Sequence, residues 1–323
     1  MRVSAPIRSP LPFLALAALS ACNSDAAAPA DTAAPADTAA PADTAEASDT
    51  APTTQPADGT GDSGSDDSGA ADTAADAAGD TGPADTGPQL RTGFVSLRSN
   101  VAPAHTRIVA TFLPGGPAYH CPEQPFGDCV FVRCTPRRPA DPLPAPDSGV
   151  ISIAGGAAPV SLSPGADGTY DIVTQSTNLW SGGEALTVAS TGGDVPAFSG
   201  QVGAPMRITV TSPATGAADW SLARDADLTL TWTGGAAGEV VVLFGTMATE
   251  DPNEVECHFQ AAAGQGVVPA AALGMLPAGD GYFSVASRNV TPLAAGTWSV
   301  RVKAESDALS GDGALVQGSV DLR

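Results

Sequence analysis

The chain has 323 residues, five of them cysteine, and its 35 acidic and 14 basic side chains give a formal net charge of −21. Residues 23–89 hold 14 of the acidic residues and no basic one, so residues 90–323 carry only −9, from 21 acidic and 12 basic residues. Lys303 is the only lysine and most arginines are scattered, so the sequence shows no basic stripe for binding phosphates, and nucleic acid is not an expected partner.

The N-terminus has the pattern of an export signal. Arg2 and Arg8 supply positive charge, and residues 11–19 (LPFLALAAL) form an apolar run of nine residues. Nine helical residues rise about 14 Å, less than half of the ~30 Å hydrocarbon core of a bilayer. The run is therefore predicted to belong to a signal peptide, residues 1–21, and not to a membrane span.

The signal peptide ends in Leu19-Ser20-Ala21-Cys22, which resembles the lipobox of bacterial lipoproteins. The resemblance implies cleavage before Cys22 and diacylation of that cysteine, and two or three acyl chains give stable membrane attachment. Asn23 follows the cysteine where an aspartate would suggest inner-membrane retention, so we expect the outer membrane or the cell surface. The alternative is an ordinary secretory peptide cut nearby, with Cys22 as a spare thiol.

Residues 22–89 are predicted to be a disordered tether that begins at the lipidated cysteine. The hexad APADTA occurs three times in residues 28–45, and residues 59–69 are rich in Gly, Ser and Asp. After residue 22 the segment lacks Val, Ile, Leu, Met and aromatic residues, so almost no apolar surface can offset the entropy of ordering. The GDSG of residues 61–64, a motif of trypsin-like proteases, lies in this tether and does not predict a protease.

From residue 91 onward, short runs alternate apolar and polar residues, which is the pattern of half-buried strands. In one run Ile108 and Phe112 fall on one face, with Arg107 and Val109 on the other. The predicted fold is all-β, with two tandem immunoglobulin-like β-sandwich modules at residues 90–204 and 205–323. One short helix is predicted within residues 269–276, between two prolines. The predicted strands lie at 94–98, 106–112, 130–134, 149–154, 159–162, 169–174, 185–189, 208–211, 228–232, 239–245, 254–259, 282–287, 298–303 and 314–322.

Two further resemblances rest on short stretches. The segment ITVTSP (208–213), with Trp220 and LTLTWTGG (228–235), resembles the opening of KNH-like immunoglobulin-fold domains of cell-wall and cell-surface proteins, which implies a fold and no activity. The lipobox, the linker, VPAF (195–198) and GQGVVPAAAL (264–273) resemble uncharacterised surface lipoproteins of myxobacteria. That resemblance implies location and architecture and brings no catalytic residues.

Four cysteines remain besides Cys22, and an even number in an exported chain predicts disulfides. Cys129 and Cys134 are five residues apart on one strand, so they point to opposite faces and should not pair with each other. We expect Cys121 to pair with Cys129 or Cys134. Cys257 lies on the apolar side of its strand and is expected to be a buried hydrophobe.

The sequence contains no nucleophile elbow, HExxH motif, P-loop or dinucleotide fingerprint, so no enzyme and no cofactor are predicted. His120 and the three nearby cysteines have no C-x2-C spacing, so no metal site is predicted. His105 and His258 have no acidic neighbour in a recognisable motif. The run EDPNEVE (250–256), with Glu250, Asp251, Glu254 and Glu256, is expected to be a solvated hairpin loop.

Among the four tryptophans, Trp232 and Trp298 are predicted in the core, while Trp180 and Trp220 lie in turn-like sequence and are candidates for stacking on a sugar. The predicted function is that of a non-enzymatic envelope protein, held to the membrane by N-terminal acyl chains, that displays two β-sandwich modules for structural or protein-interaction roles. Its expected partner is another envelope protein or a polysaccharide. The alternative, a carbohydrate-binding surface module, requires Trp180 or Trp220 to be exposed beside polar residues.

Overall fold

The structure is a computed structural model that describes residues 91–101, 103–114, 119–136, 145–214, 220–246 and 253–323. The predicted signal peptide (1–21), the lipidation site Cys22 and the predicted tether (22–89) lie outside the described residues. Most described residues form strands, and the helical ones are the 3-10 turn Ala261–Ala263 and the helix α1, Ala270–Leu273. The all-β fold class is confirmed, and α1 lies where the sequence predicts a helix.

The strands follow one another along the chain with short connections. In residues 91–203 they are β1 (Arg91–Val101), β2 (Ala104–Leu113), β3 (Tyr119–His120), β4 (Glu123–Phe126), β5 (Cys129–Arg133), β6 (Thr135–Pro136), β7 (Ile151–Ala154), β8 (Val160–Leu162), β9 (Val173–Gln175), β10 (Ala185–Ser190) and β11 (Ser199–Gly203). In residues 208–322 they are β12 (Ile208–Ser212), β13 (Ser221–Leu222), β14 (Leu228–Gly234), β15 (Glu239–Thr246), β16 (Asn253–Gln260), β17 (Gln265–Val268), β18 (Gly279–Ala295), β19 (Trp298–Asp307), β20 (Leu309–Ser310) and β21 (Gln317–Leu322).

One large sheet organises the fold. Its strands lie in the order β4-β5-β16-β15-β18-β19-β1-β2-β9, with β21 paired to β18 and β13 paired to β21. Two four-stranded sheets, β11-β10-β7-β8 and β17-β14-β12-β20, and the short pair β3-β6 complete the described strands.

Strands from both predicted modules share the large sheet. β1 pairs in parallel with β19, so that Arg98 lies beside Glu305, and β5 pairs antiparallel with β16. The two successive modules predicted at 90–204 and 205–323 are therefore not confirmed. Alternation within a strand predicts that the strand exists, but it carries no information about a pairing partner about 200 residues away.

Two hydrophobic cores lie against this sheet. The first core is built from the large sheet and β11-β10-β7-β8, and includes Leu97, Ile108 and Leu186. The second core is built from the large sheet and β17-β14-β12-β20, and includes Leu230 and Phe244. Each core has the layered arrangement of a sandwich, and the large sheet is common to both.

β18 is the strand that joins the two cores, and it is longer than the predicted 282–287. Phe283 and Val285 near its start enter the second core, while Leu293 and Ala295 near its end pack in the first. Beyond Arg288 the strand pairs only with β19, and an edge of this kind tolerates a proline such as Pro292.

Candidate functional site

The face of the large sheet opposite both cores, called the outer face below, carries the chemically distinctive side chains. On β15, Val240, Val242 and Phe244 enter the second core, so Val241 and Leu243 lie on the outer face. Strand geometry requires this, because successive side chains point to opposite sides of a sheet. Five neighbouring strands, β15, β18, β19, β1 and β2, present their alternate residues on this face.

A row of five charged residues crosses these strands at directly paired positions. From β15 to β2 it consists of Glu239, Arg288, Glu305, Arg98 and Arg107, and we call it the charged row. The signs alternate until the last two members, which are both arginines. Directly opposite side chains on neighbouring strands are about 5 Å apart at Cβ, so the neighbours in the row interact.

Ion pairs connect most of the charged row. Arg288 Nε lies 2.9 Å from Glu239 Oε1, without hydrogen-bond alignment, and 3.9 Å from Glu305 Oε1. Arg98 Nε donates to Asp307 Oδ1 at 2.7 Å. Burial raises the pKa of Asp307 even though the charge of Arg98 opposes the shift.

His258 and Glu256 extend this network onto β16. Arg288 Nη2 donates to Glu256 Oε1 at 2.6 Å. His258 Nδ1 lies 2.9 Å from Glu239 Oε2, and Nε2 lies 3.3 Å from Glu256 Oε1. Two carboxylates thus flank the imidazole, an arrangement in which both ring nitrogens donate and the ring is positively charged.

The network shifts the pKa values of both groups. Burial alone would lower the pKa of His258, but the hydrogen bonds to Glu239 and Glu256 outweigh it and raise that pKa to about 9. Burial would raise the pKa of Glu256, but His258 and Arg288 together lower it to about 2. Both groups are charged at neutral pH, and neither titrates near pH 7, where general acid–base catalysis is most effective.

The prediction of a solvated loop is wrong for Glu254 and Glu256. Both lie on β16 and are only 6% exposed, whereas Glu250 and Asp251 lie outside the described residues. Glu256 is covered through its contact with Arg288, and Glu254 accepts a hydrogen bond from the Tyr282 hydroxyl. Burial raises the pKa of both Glu254 and Tyr282.

Beside this network lies a groove of about 320 Å³ on the outer face. Its floor includes Val241, Leu243 and Ala286, which are almost fully buried although no core covers them. The cations in its lining are Arg98, Arg107, Arg288 and Lys303, which are four of the twelve basic residues in residues 90–323. The scattering of basic residues along the sequence therefore does not persist in the fold.

Arg107 differs from the other three cations. Lys303 lies 3.3 Å from Glu305, and Arg98 and Arg288 have the partners given above. Arg107 makes no ion pair with any described residue, and its cross-strand neighbours are Arg98 on β1 and Thr174 on β9. Alternation had predicted Arg107 on the outer side of its strand, but its neighbours follow only from the pairing.

Two disulfides form away from the groove. Cys121 bonds to Cys134, one of the two predicted alternatives. Cys129 bonds to Cys257 at directly paired positions of β5 and β16. The interpretation of Cys257 as an unbonded hydrophobe is therefore wrong, because sequence spacing could not show that β5 lies beside β16.

The tryptophans form no exposed platform. Trp180 is 4% exposed and its Nε1 donates to Ser306 Oγ at 2.9 Å, so the prediction of an exposed Trp180 is wrong. Trp220 is half-buried, with its ring centroid 4.5 Å from that of Phe283. Trp232 and Trp298 are buried in the two cores, as predicted.

Two searches of the described ranges give negative results. Their side chains form no group of three or more His, Cys, Asp or Glu suited to hold a metal ion. None of their helices has the length and apolar character needed to cross a bilayer.

No protein-family model and no curated protein matches the chain. Its all-β, sandwich-like fold is consistent with a structural or binding module.

Proposed function

We propose that this chain is a non-enzymatic, lipid-anchored protein of the bacterial cell envelope, in which the tether of residues 22–89 displays the β-rich part as a binding module. The acyl chains on Cys22 hold the protein at the outer membrane or cell surface. The groove on the outer face of the large sheet contacts another macromolecule.

The observation that carries the proposal is the pair of disulfides, Cys121–Cys134 and Cys129–Cys257. Disulfides form and persist in oxidising compartments and are rare in the cytosol. They therefore support export, which the apolar run before Cys22 predicts independently.

The charged groups of the outer face favour binding over catalysis. Glu256 and His258 are held in their charged forms by each other and by Arg288. Ion-pair networks of this kind perturb pKa values for structural reasons, and they leave no group poised to exchange protons near neutral pH.

Anchoring is tested by expressing the wild type and Cys22→Ala in a bacterial host with a clickable palmitate analogue. We expect the label in the wild type only, together with a shift of Cys22→Ala from the membrane to the soluble fraction. Equal labelling of the two proteins would contradict lipidation at Cys22.

Display is tested on intact cells with the wild type. Protease added outside should release the folded part by cutting within residues 22–89, and the released fragment should retain both disulfides by mass. A fragment that appears only after the cells are lysed would contradict surface display.

A further inference from the structure

Arg98 and Arg107 present two like charges at directly opposite positions of β1 and β2. Opposed like charges destabilise a strand pair. Asp307 compensates Arg98, but no described residue compensates Arg107, whose other neighbour is Thr174. The fold therefore retains an unneutralised cation at one end of the groove, although residues 90–323 carry a net charge of −9.

Such an arrangement suits a carboxylate ligand. A guanidinium group presents a planar set of donors that matches a carboxylate in two-point contact. The side chain of Arg98 is 38% exposed and that of Arg107 is half-buried, so both line the groove within reach of solvent. A carboxylate between them would relieve their repulsion.

The rest of the groove has the chemistry of a surface for polyols. It spans five neighbouring strands, about 19 Å at about 4.8 Å per strand, which is long for a single small acid. Val241, Leu243 and Ala286 give it an apolar floor, while Ser96 and Gln317 add hydrogen-bonding groups to its lining. Apolar surface with a few well-placed polar groups is typical of sites that bind small organic rings.

The same geometry disfavours an extended peptide. Peptides commonly bind a sheet by adding a strand at an unpaired edge. Every strand beneath the groove has a neighbour on both sides, including β2, which is paired with β1 and β9. The backbone groups on this face are committed to the sheet, so only side chains are available for recognition.

We propose that the groove binds an acidic polysaccharide, with the carboxylate of one uronic-acid residue held between Arg98 and Arg107 and the adjoining sugar residues lying along the apolar floor. This inference rests on the proposed function as a binding module and names its ligand class. Lipid anchoring is tested on Cys22 alone, so a failure of the polysaccharide proposal leaves anchoring and display standing.

The test measures binding to the full chain carrying Cys22→Ala, so that acyl chains do not contribute. Polygalacturonate is the acidic probe, its methyl ester is the matched uncharged probe, and poly-glutamate is the peptide polyanion. By calorimetry at low salt, we expect polygalacturonate to bind at least about tenfold more tightly than its methyl ester, as for the loss of a hydrogen bond to a charged group.

Arg107→Gln should weaken polygalacturonate binding by about tenfold or more, while Arg323→Gln, at an exposed arginine paired with Asp321, should leave binding unchanged. Arg107→Gln also removes a repulsion, so its thermal midpoint should equal or exceed that of the parent. If Arg107→Gln fails to fold, Arg107→Lys keeps the charge and should bind polygalacturonate more weakly than the parent, because it loses the planar donor set.

Four results would overturn the proposal. They are an absence of polygalacturonate binding to the parent, equal binding of the acid and its ester, an equal loss in Arg107→Gln and Arg323→Gln, and tighter binding of poly-glutamate than of polygalacturonate. The last result would identify a site for an acidic protein segment.

Discussion

The aromatic ring of Tyr282 lies across Gly245 on the neighbouring strand and fills the space that a side chain at residue 245 would occupy. The Tyr282 hydroxyl thereby reaches Glu254, on the strand beyond β15, and donates a hydrogen bond to its carboxyl group. A glycine on the middle strand is what lets one aromatic side chain span three strands and satisfy a buried carboxyl group.

Gly245→Ala is therefore expected to destabilise the fold by about 1–3 kcal/mol, because the new Cβ would overlap the Tyr282 ring. The measurement is urea unfolding followed by tryptophan fluorescence. Gly311→Ala is the matched control, since a Cβ there meets no atom within 4 Å. In a double-mutant cycle, Tyr282→Ala should remove most of the added cost of Gly245→Ala. Equal stabilities of Gly245→Ala and Gly311→Ala would show that the ring moves aside freely.

The pH dependence of stability should reveal the charged form of His258. Its pKa is raised from 6.5 to about 9 by Glu239 and Glu256. A raised folded-state pKa contributes stability that is complete below pH 6.5 and is lost as the pH rises from 6.5 through 9. The contribution is on the order of 3 kcal/mol in this window, from about 1.4 kcal/mol per pKa unit.

We expect His258→Gln to flatten the wild-type decline in unfolding free energy between pH 6.5 and 9. His105→Gln is the control, because that ring contacts Asn100 and a backbone carbonyl. Urea unfolding at half-unit pH steps provides the comparison. A wild-type profile that is level across the window would contradict the charged state assigned to His258.

How far the sequence predicts this fold differs between strands and sheets. Alternation around Ile108 and Phe112 correctly predicts β2 and correctly assigns Arg107 to its outer side. Alternation cannot show that β1 lies between β19 and β2, because strand pairing depends on contacts between residues about 200 positions apart. The boundary predicted between residues 204 and 205 failed for this reason.

The groove was missed for the same reason. Its cations, Arg98, Arg107, Arg288 and Lys303, come from four strands and are separated by up to about 200 residues. Glu256 reads as a solvent-facing position because it alternates with Val255 and Cys257, yet Arg288 from another strand buries it. A polar residue on the outer side of a strand can be buried by its cross-strand neighbours, which a single-strand pattern does not contain.

The two disulfides should contribute unequally to stability. Cys129–Cys257 closes a separation of 128 residues and Cys121–Cys134 one of 13. In the chain-entropy model the longer loop contributes about 2 kcal/mol more. The double variant Cys129→Ala/Cys257→Ala should therefore unfold at lower urea than Cys121→Ala/Cys134→Ala, with the latter as the matched control. An unfolding midpoint for the first variant at or above that of the second would argue against this loop-length effect.

Trp180 should behave as a core residue and not as a sugar-binding one. Its Nε1 donates to Ser306 Oγ, which in turn donates to the carbonyl oxygen of Pro205 at 3.2 Å. Trp180→Phe keeps a ring but leaves the Ser306 hydroxyl without its donor, at an expected cost of about 1–2 kcal/mol. Trp220→Phe, at a half-buried ring that packs on Phe283, should cost less. Polygalacturonate binding should be unchanged in both variants, because neither ring lines the groove. Loss of sugar binding in Trp180→Phe at unchanged stability would instead place recognition at the tryptophan and away from Arg107.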